Sequence, residues 1–247
     1  MALTHQAKVL IVNDGDPSQA GLAPLLSSRG YQVDHATTGA EALELFDLAP
    51  PELMILDLGL PDMEGSEICR QVRRRFDVPI IVLSVRGHDA EKIAALDEGA
   101  DDYITKPFAV ADLLMRVKAA LRHAHDGEGA AKGKLELPDL TIDFDHGRVT
   151  RGRHDIPIDP YEFELLAYLV RHANRVLTYR TILMANPAVH TTSHLWERIG
   201  RLRRKIEVDP FRPRYLVSEP WVGYRFQAPR EPKAAKSAEP ESSEDQG

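Results

Sequence analysis

The chain has 247 residues, 43% hydrophobic and 28% charged, which leaves room for two ordinary cores and excludes a disordered or fibrous protein. No apolar run approaches the roughly 20 residues a membrane-crossing helix needs, the opening MALTHQAK has no signal-peptide core, and the single Cys69 cannot form an internal disulfide; the reading is a cytoplasmic protein with no membrane partner. The net charge of -7 is uneven: residues 1–124 carry 12 basic against 19 acidic side chains, residues 134–228 carry 15 against 12, and a basic stripe lies between Arg198 and Arg214, so an anionic partner is expected for the second half alone.

In chain order, residues 8–12, 32–35, 53–56, 78–83 and 103–104 read as strands, several apolar throughout, as strands buried on both faces are. Between them, residues 40–48, 65–75, 90–98 and 110–121 carry apolar side chains at helical spacing. An earlier helix is interrupted by Gly21 and Pro24, which predicts a late start or a kink. The alternation predicts an α/β domain over residues 1–124, a doubly wound, flavodoxin-like, five-stranded parallel sheet. Residues 125–133 read as a flexible linker with three glycines. Residues 134–228 form an α+β unit: short strands up to 158 with turns at Pro138-Asp139 and His146-Gly147, a helix over 160–172, a basic helix over 193–207, and a hairpin over 215–226. Residues 229–247, rich in Pro, Ala, Ser and Glu, read as a disordered tail.

In an open parallel sheet, chemistry collects where the strands end, near the point at which strand order reverses. The first strand ends at Asn13-Asp14, the third at Asp57 and the fourth at Ser84, and the fifth leads into Lys106. Two carboxylates, a hydroxyl and an ammonium then share one shallow cleft. That set suits a phosphorylated carboxylate, with Asp57 as nucleophile, Asp14 helping to hold Mg2+, and Ser84 and Lys106 each taking a phosphoryl oxygen. The same residues also suit an ion-pair cluster that ties strand ends together and accepts no phosphate.

The stretches Asp57-Leu-Gly-Leu-Pro-Asp62, Val82-Leu-Ser84, Gly99-Ala-Asp-Asp-Tyr103 and Thr105-Lys-Pro-Phe108 resemble the receiver domain of two-component response regulators. Pro160–Leu166, Arg175-Val-Leu-Thr178, Arg201–Lys205 and Gly223-Tyr-Arg-Phe226 resemble the winged helix-turn-helix of the OmpR/PhoB group. Within that group, Asp57-Leu-Gly-Leu-Pro61 and Asp209–Arg214 are similar to regulators of potassium transport. The resemblance implies a DNA-binding transcriptional regulator rather than an enzyme. It makes Asp57 the phosphoacceptor from a histidine kinase, Ser84 and Tyr103 the residues that respond, Lys106 their cationic partner, and Asp14, Asp57 and Gly59 the Mg2+ site. It further implies a homodimer through Lys92, Asp97, Asp101, Asp102, Asp112, Arg116 and Arg122, with promoter DNA and RNA polymerase as partners.

On a helix starting near Ser193, Leu195, Ile199, Leu202 and Ile206 face the core, which leaves Trp196, Arg198, Arg201, Arg204 and Lys205 wholly or partly outward for the major groove. Several residues depart from the family pattern. Asn13 stands where an acid is usual and Gly15 where a further acid often stands, so Mg2+ meets less negative charge and binds weakly. Asp16 is read as a helix cap. Val85 replaces an alanine beside Ser84, Glu197 an apolar residue, and Ser218–Trp221 lacks a common wing arginine. A regulator that binds DNA independently of phosphate stays open at this point, as does a module whose basic half touches polymerase more than DNA.

Overall fold

The computed structural model describes residues 6–15, 21–85, 88–126 and 133–228. Asp16 and its expected capping role lie outside these residues, as do 127–132 of the linker and the whole tail from 229.

The first half runs β1 (Lys8–Val12), α1 (Leu22–Ser27), β2 (Gln32–Ala36), α2 (Gly39–Leu48), β3 (Leu53–Asp57), α3 (Gly65–Arg73), β4 (Ile80–Val85), α4 (Asp89–Asp97), β5 (Asp102–Lys106) and α5 (Val110–Asp126). The five strands are parallel in the order β2-β1-β3-β4-β5. Alternation along each strand splits the apolar side chains between two layers. Leu10, Val12, Met54, Leu56, Ile80 and Val82 lie in one buried cluster, and Val9, Ile11, Leu53, Ile55, Ile81 and Leu83 in the other. Continuous apolar runs are therefore what this sheet requires, since helices cover both faces.

Helix α1 starts at Leu22 and carries Pro24 within its first turn, where a missing N–H costs nothing. Strand β4 begins two residues later than the apolar run, after Pro79, which has no N–H for the ladder. Helix α5 continues to Asp126, two residues past the expected domain end.

The second half opens with an antiparallel sheet of β6 (Lys134–Glu136), β7 (Thr141–Asp143), β8 (Arg148–Arg151) and β9 (His154–Ile156). Then come α6 (Pro160–Arg171), β10 (Leu177–Thr178), α7 (Tyr179–Ala185), α8 (Thr192–Ile206), β11 (Leu216–Glu219) and β12 (Gly223–Phe226), the last two forming a hairpin against β10. Asp159 and Glu162 close a capping box at the start of α6, each accepting the other's backbone N–H at 2.9 and 3.1 Å. Leu195, Ile199, Leu202 and Ile206 of α8 are buried as their spacing predicts. Gly223 lets β12 approach β10, because a side chain there would strike the Leu177 carbonyl oxygen at 1.9 Å. Buried Glu207 holds the chain that follows α8 by accepting the N–H groups of Arg214, Tyr215 and Leu216 at 2.8–2.9 Å.

Candidate functional site

The strand order reverses between β1 and β3, and register brings the expected residues to that edge. Val12 pairs Leu56, so Asn13 and Asp57 follow neighbouring partners; Asp57 pairs Leu83, and Ser84 pairs Thr105, one residue before Lys106. Asp57 is buried at 5% exposure. One of its oxygens accepts the Lys106 ammonium at 2.5 Å, the other the Gly59 N–H at 3.1 Å. Ser84 is also buried, and its hydroxyl donates to the Val85 carbonyl at 3.3 Å. Val85 itself is half exposed and stands at the surface.

Asn13 is buried and its orientation is fixed by its donors. The Gly15 N–H can only donate, so the atom facing it at 3.2 Å is the amide oxygen, and the His35 Nε2 at 2.8 Å from that oxygen carries a hydrogen. Asp14 is exposed at the rim. Asp62, the last residue of the Asp57 motif, serves a different end: its two oxygens accept the Gly39 and Ala40 N–H groups at 2.9 and 3.0 Å. These backbone bonds at the N-terminus of α2 hold its pKa below the usual carboxylate value.

Six of the seven residues expected to pair two receivers have partners within this chain. Asp97 accepts the hydroxyls of Thr178 and Thr181 at 2.5 and 3.2 Å and pairs with Arg180 at 3.4 Å. Asp101 binds Arg73 at 2.8 Å and Arg175, and its carbonyl accepts the Val176 N–H at 2.8 Å. Asp102 lies between two arginines: Arg116 at 2.7 and 2.8 Å and Arg225 at 2.7 and 2.9 Å. Burial pulls the pKa of each guanidinium down, but the carboxylates around it, Asp102 first, with Asp112 at Arg116 and Glu219 at Arg225, together outweigh burial, so both are raised and stay charged. Arg116 also meets Asp112 at 3.1 Å, and Lys92 pairs with Asp89 at 2.6 Å while lying over the Tyr103 ring. Arg122 is exposed.

The Tyr103 hydroxyl donates to Glu219 of the hairpin at 3.1 Å; burial, reinforced by that carboxylate, raises its pKa. Val176 and Val222 complete the seam by joining the apolar cluster that contains Ala95, Leu96 and Ala100. Arg175, Arg225, Thr178 and Glu219 were not foreseen as functional. Their partners are up to 123 residues away, and the only sequence signal was the opposite charge balance of the two halves.

On α8, Trp196, Arg201 and Arg204 are exposed, and Arg201 forms a pair with Glu197 at 2.5 Å. Arg198 is half-buried over the Tyr161 ring. Lys205 is drawn inward: its ammonium lies 2.5 Å from the buried Glu162 and ties the end of α8 to the start of α6. Arg203 likewise binds the Leu216 carbonyl and the Ser218 hydroxyl, fixing α8 to β11. At the hairpin tip, Trp221 is exposed and takes a positive φ of 66° in a turn closed by the Val222 N–H to the Glu219 carbonyl.

Comparison with known proteins matches both halves. Residues 9–118 match the family model described as response regulator receiver domain, and residues 153–226 the model described as transcriptional regulatory protein, C terminal. The KDP operon transcriptional regulatory protein KdpE of Escherichia coli is 41% identical over 221 residues, covering 88% of this chain and 98% of that protein. The transcriptional regulatory protein KdpE of Mycobacterium tuberculosis is 37% identical, covering 89% and 99%. The sensory transduction protein RegX3 of Mycobacterium bovis is 36% identical, covering 89% and 98%. Among the described residues, no helix is long and apolar enough to cross a membrane.

Proposed function

From a chain that belongs to the OmpR/PhoB family of two-component response regulators, a receiver joined to a DNA-binding domain, we infer that Asp57 is the phosphoacceptor and that its state governs how α8 meets promoter DNA. The observation that carries this reading is the pair that buried Asp57 makes with Lys106 at the edge where strand order reverses, with Ser84 next in the chain after Leu83, the strand partner of Asp57. A carboxylate oxygen of Asp57 bonds to phosphorus as the P–N bond of a phosphohistidine on the sensor kinase breaks, and the electron pair leaves with the imidazole nitrogen. Lys106 then turns its ammonium from carboxylate to phosphoryl oxygen, and Ser84 gives up its long bond to Val85 to donate there.

Receiver domains bind Mg2+ at this acidic pocket. The donor set here fits a hard cation, through the carboxylates of Asp14 and Asp57 and the carbonyl of Gly59, but with little charge to spare. The oxygen of Asn13 is committed to Gly15 and His35, and among the described residues no three His, Cys, Asp or Glu side chains gather as a metal site. Bound Mg2+ supplies positive charge to the phosphoryl oxygens, and weak binding is the reading for this pocket.

Phosphorylated chains pair through the receiver face of α4, β5 and α5, where both signs of charge suit a two-fold contact. Two α8 helices then lie on adjacent half-sites, Arg201 and Arg204 reaching phosphates or guanine edges, and RNA polymerase is the partner that reads the result. The test is duplex binding with and without a small phosphodonor. Phosphodonor is expected to tighten binding by the intact chain, and Arg201→Ala with Arg204→Ala to weaken it by about tenfold or more. Equal affinity across all of these samples would overturn the reading.

A further inference from the structure

Residues 193–216, which hold α8 and the loop after it, carry seven Lys and Arg against three Asp and Glu, an excess of four cations. All three acids are engaged locally. Glu207 accepts the backbone N–H groups of Arg214, Tyr215 and Leu216, Asp209 accepts the Phe211 N–H at 2.9 Å, and Glu197 pairs with Arg201. Among the described residues no carboxylate lies within ion-pair distance of Arg198, Arg204 or Arg212, and the last two are exposed. An Arg204 nitrogen lies 3.7 Å from where a side chain on Gly200 would begin, so its guanidinium is laid back along the helix. This face has positive charge to spare.

The sequence beyond β12 brings the opposite charge. Residues 237–247 hold Glu239, Glu241, Glu244 and Asp245 and no Lys or Arg. The family match ends at residue 226, so this stretch is no part of the shared winged fold. The chain leaves that fold beside α8. Phe226 pairs with Leu216, the Gln227 N–H donates to the Tyr215 carbonyl at 2.7 Å, and Arg203 of α8 donates to the Leu216 carbonyl at 2.9 Å. The last described residues therefore stand close to the final turns of the helix. Eleven residues separate Ala228 from Glu239. A coil of that length spans about 18 Å, and a helix as long as α8 about 22 Å, so the first acid reaches the basic face without strain.

We propose that the acidic segment 237–247 docks on the outward basic face of α8, over Arg201 and Arg204, and competes there with the phosphates of duplex DNA. Single exposed ion pairs contribute little. The tether is what makes these count, because a short linker holds the acids beside the helix at an effective concentration on the order of millimolar. Four carboxylates set against an excess of four cations cancel the local field that draws any duplex in. Non-specific DNA is thereby turned away, while a site that also offers base contacts to α8 displaces the segment. Docking stands on charge and tether alone; the competition with DNA rests on the preceding reading of α8.

The test compares the full chain, without phosphodonor, with a chain ended after Lys236 and with a full-length form carrying Glu239→Gln, Glu241→Gln, Glu244→Gln and Asp245→Asn. Amide NMR spectra taken without DNA read docking, and anisotropy of a labelled non-specific duplex reads competition. Both variants are expected to shift amide signals along α8, to leave the receiver's signals in place, and to bind duplex about three- to tenfold more tightly at low salt. The difference from the full chain fades as salt rises, since exposed charges are screened beyond roughly 8 Å at physiological ionic strength. Tighter duplex binding with unmoved α8 signals would overturn the proposal, because losing acids relieves long-range repulsion wherever they stand. Unmoved signals with unchanged affinity would overturn it equally. Shifted α8 signals with unchanged affinity would overturn the competition, and with it the placement of DNA on α8, while the docking stood.

Discussion

Asp57 and Asp102 are both buried aspartates near strand ends of the same sheet, yet they sit in opposite circumstances. Asp57 pairs with Lys106, whose long stem leaves the side chain 20% exposed. Asp102 has two guanidiniums, one from each half of the molecule, and its Arg225 partner is only 12% exposed. The first carboxylate is held by a partly exposed ammonium on a flexible stem, which can turn to a new anion. The second is held by a fork from Arg225, two nitrogens on two oxygens, and by one Arg116 nitrogen shared between both oxygens. The strand-end pocket and the seam between the halves thus use the same residue type, and partner choice separates them.

Removing each carboxylate tests that contrast most strongly. Asp102→Ala leaves two arginines facing each other without their shared anion, and it should cost about 3–5 kcal/mol in urea unfolding of the full chain. Asp57→Asn should change stability by no more than about 1 kcal/mol, since the Gly59 N–H keeps an acceptor and Lys106 can reach water. Comparable losses at the two positions would erase the distinction.

Adding charge to the pocket sharpens the comparison from the other side. Asn13→Asp restores a carboxylate beside Asp57 and should raise Mg2+ affinity on the order of tenfold by titration calorimetry. An unchanged affinity would show that Asn13 is not what limits the cation. The smallest effect is expected at the hairpin tip. Trp221 is exposed and held at positive φ, so Trp221→Gly should stabilise the winged domain by about 0.5–1 kcal/mol in thermal unfolding. A loss of stability instead would mean that the indole packs against the chain.

The strands of the first half were legible because burial on both faces demands unbroken apolar runs, and the pocket followed because parallel topology sends strand ends to one edge. Helix α7, of seven residues, was not foreseen: two turns are too few for periodicity, and its one local mark is Thr178, whose hydroxyl accepts the Thr181 N–H. Lys205 is partly outward, within what its place on α8 allows, but its contact with the buried Glu162 of another helix carries no local signal. The seam was beyond reach for a different reason. Arg225 and Asp102 carry no local pattern, and only the packing of the two halves makes them neighbours.

The most direct test of the central claim is peptide-mapped mass measurement of the full chain after incubation with Mg2+ and a small phosphodonor. The account predicts one added phosphoryl group on the peptide containing Asp57, abolished by Asp57→Asn and reduced by Lys106→Ala. No added mass, or the same gain in Asp57→Asn, would contradict it.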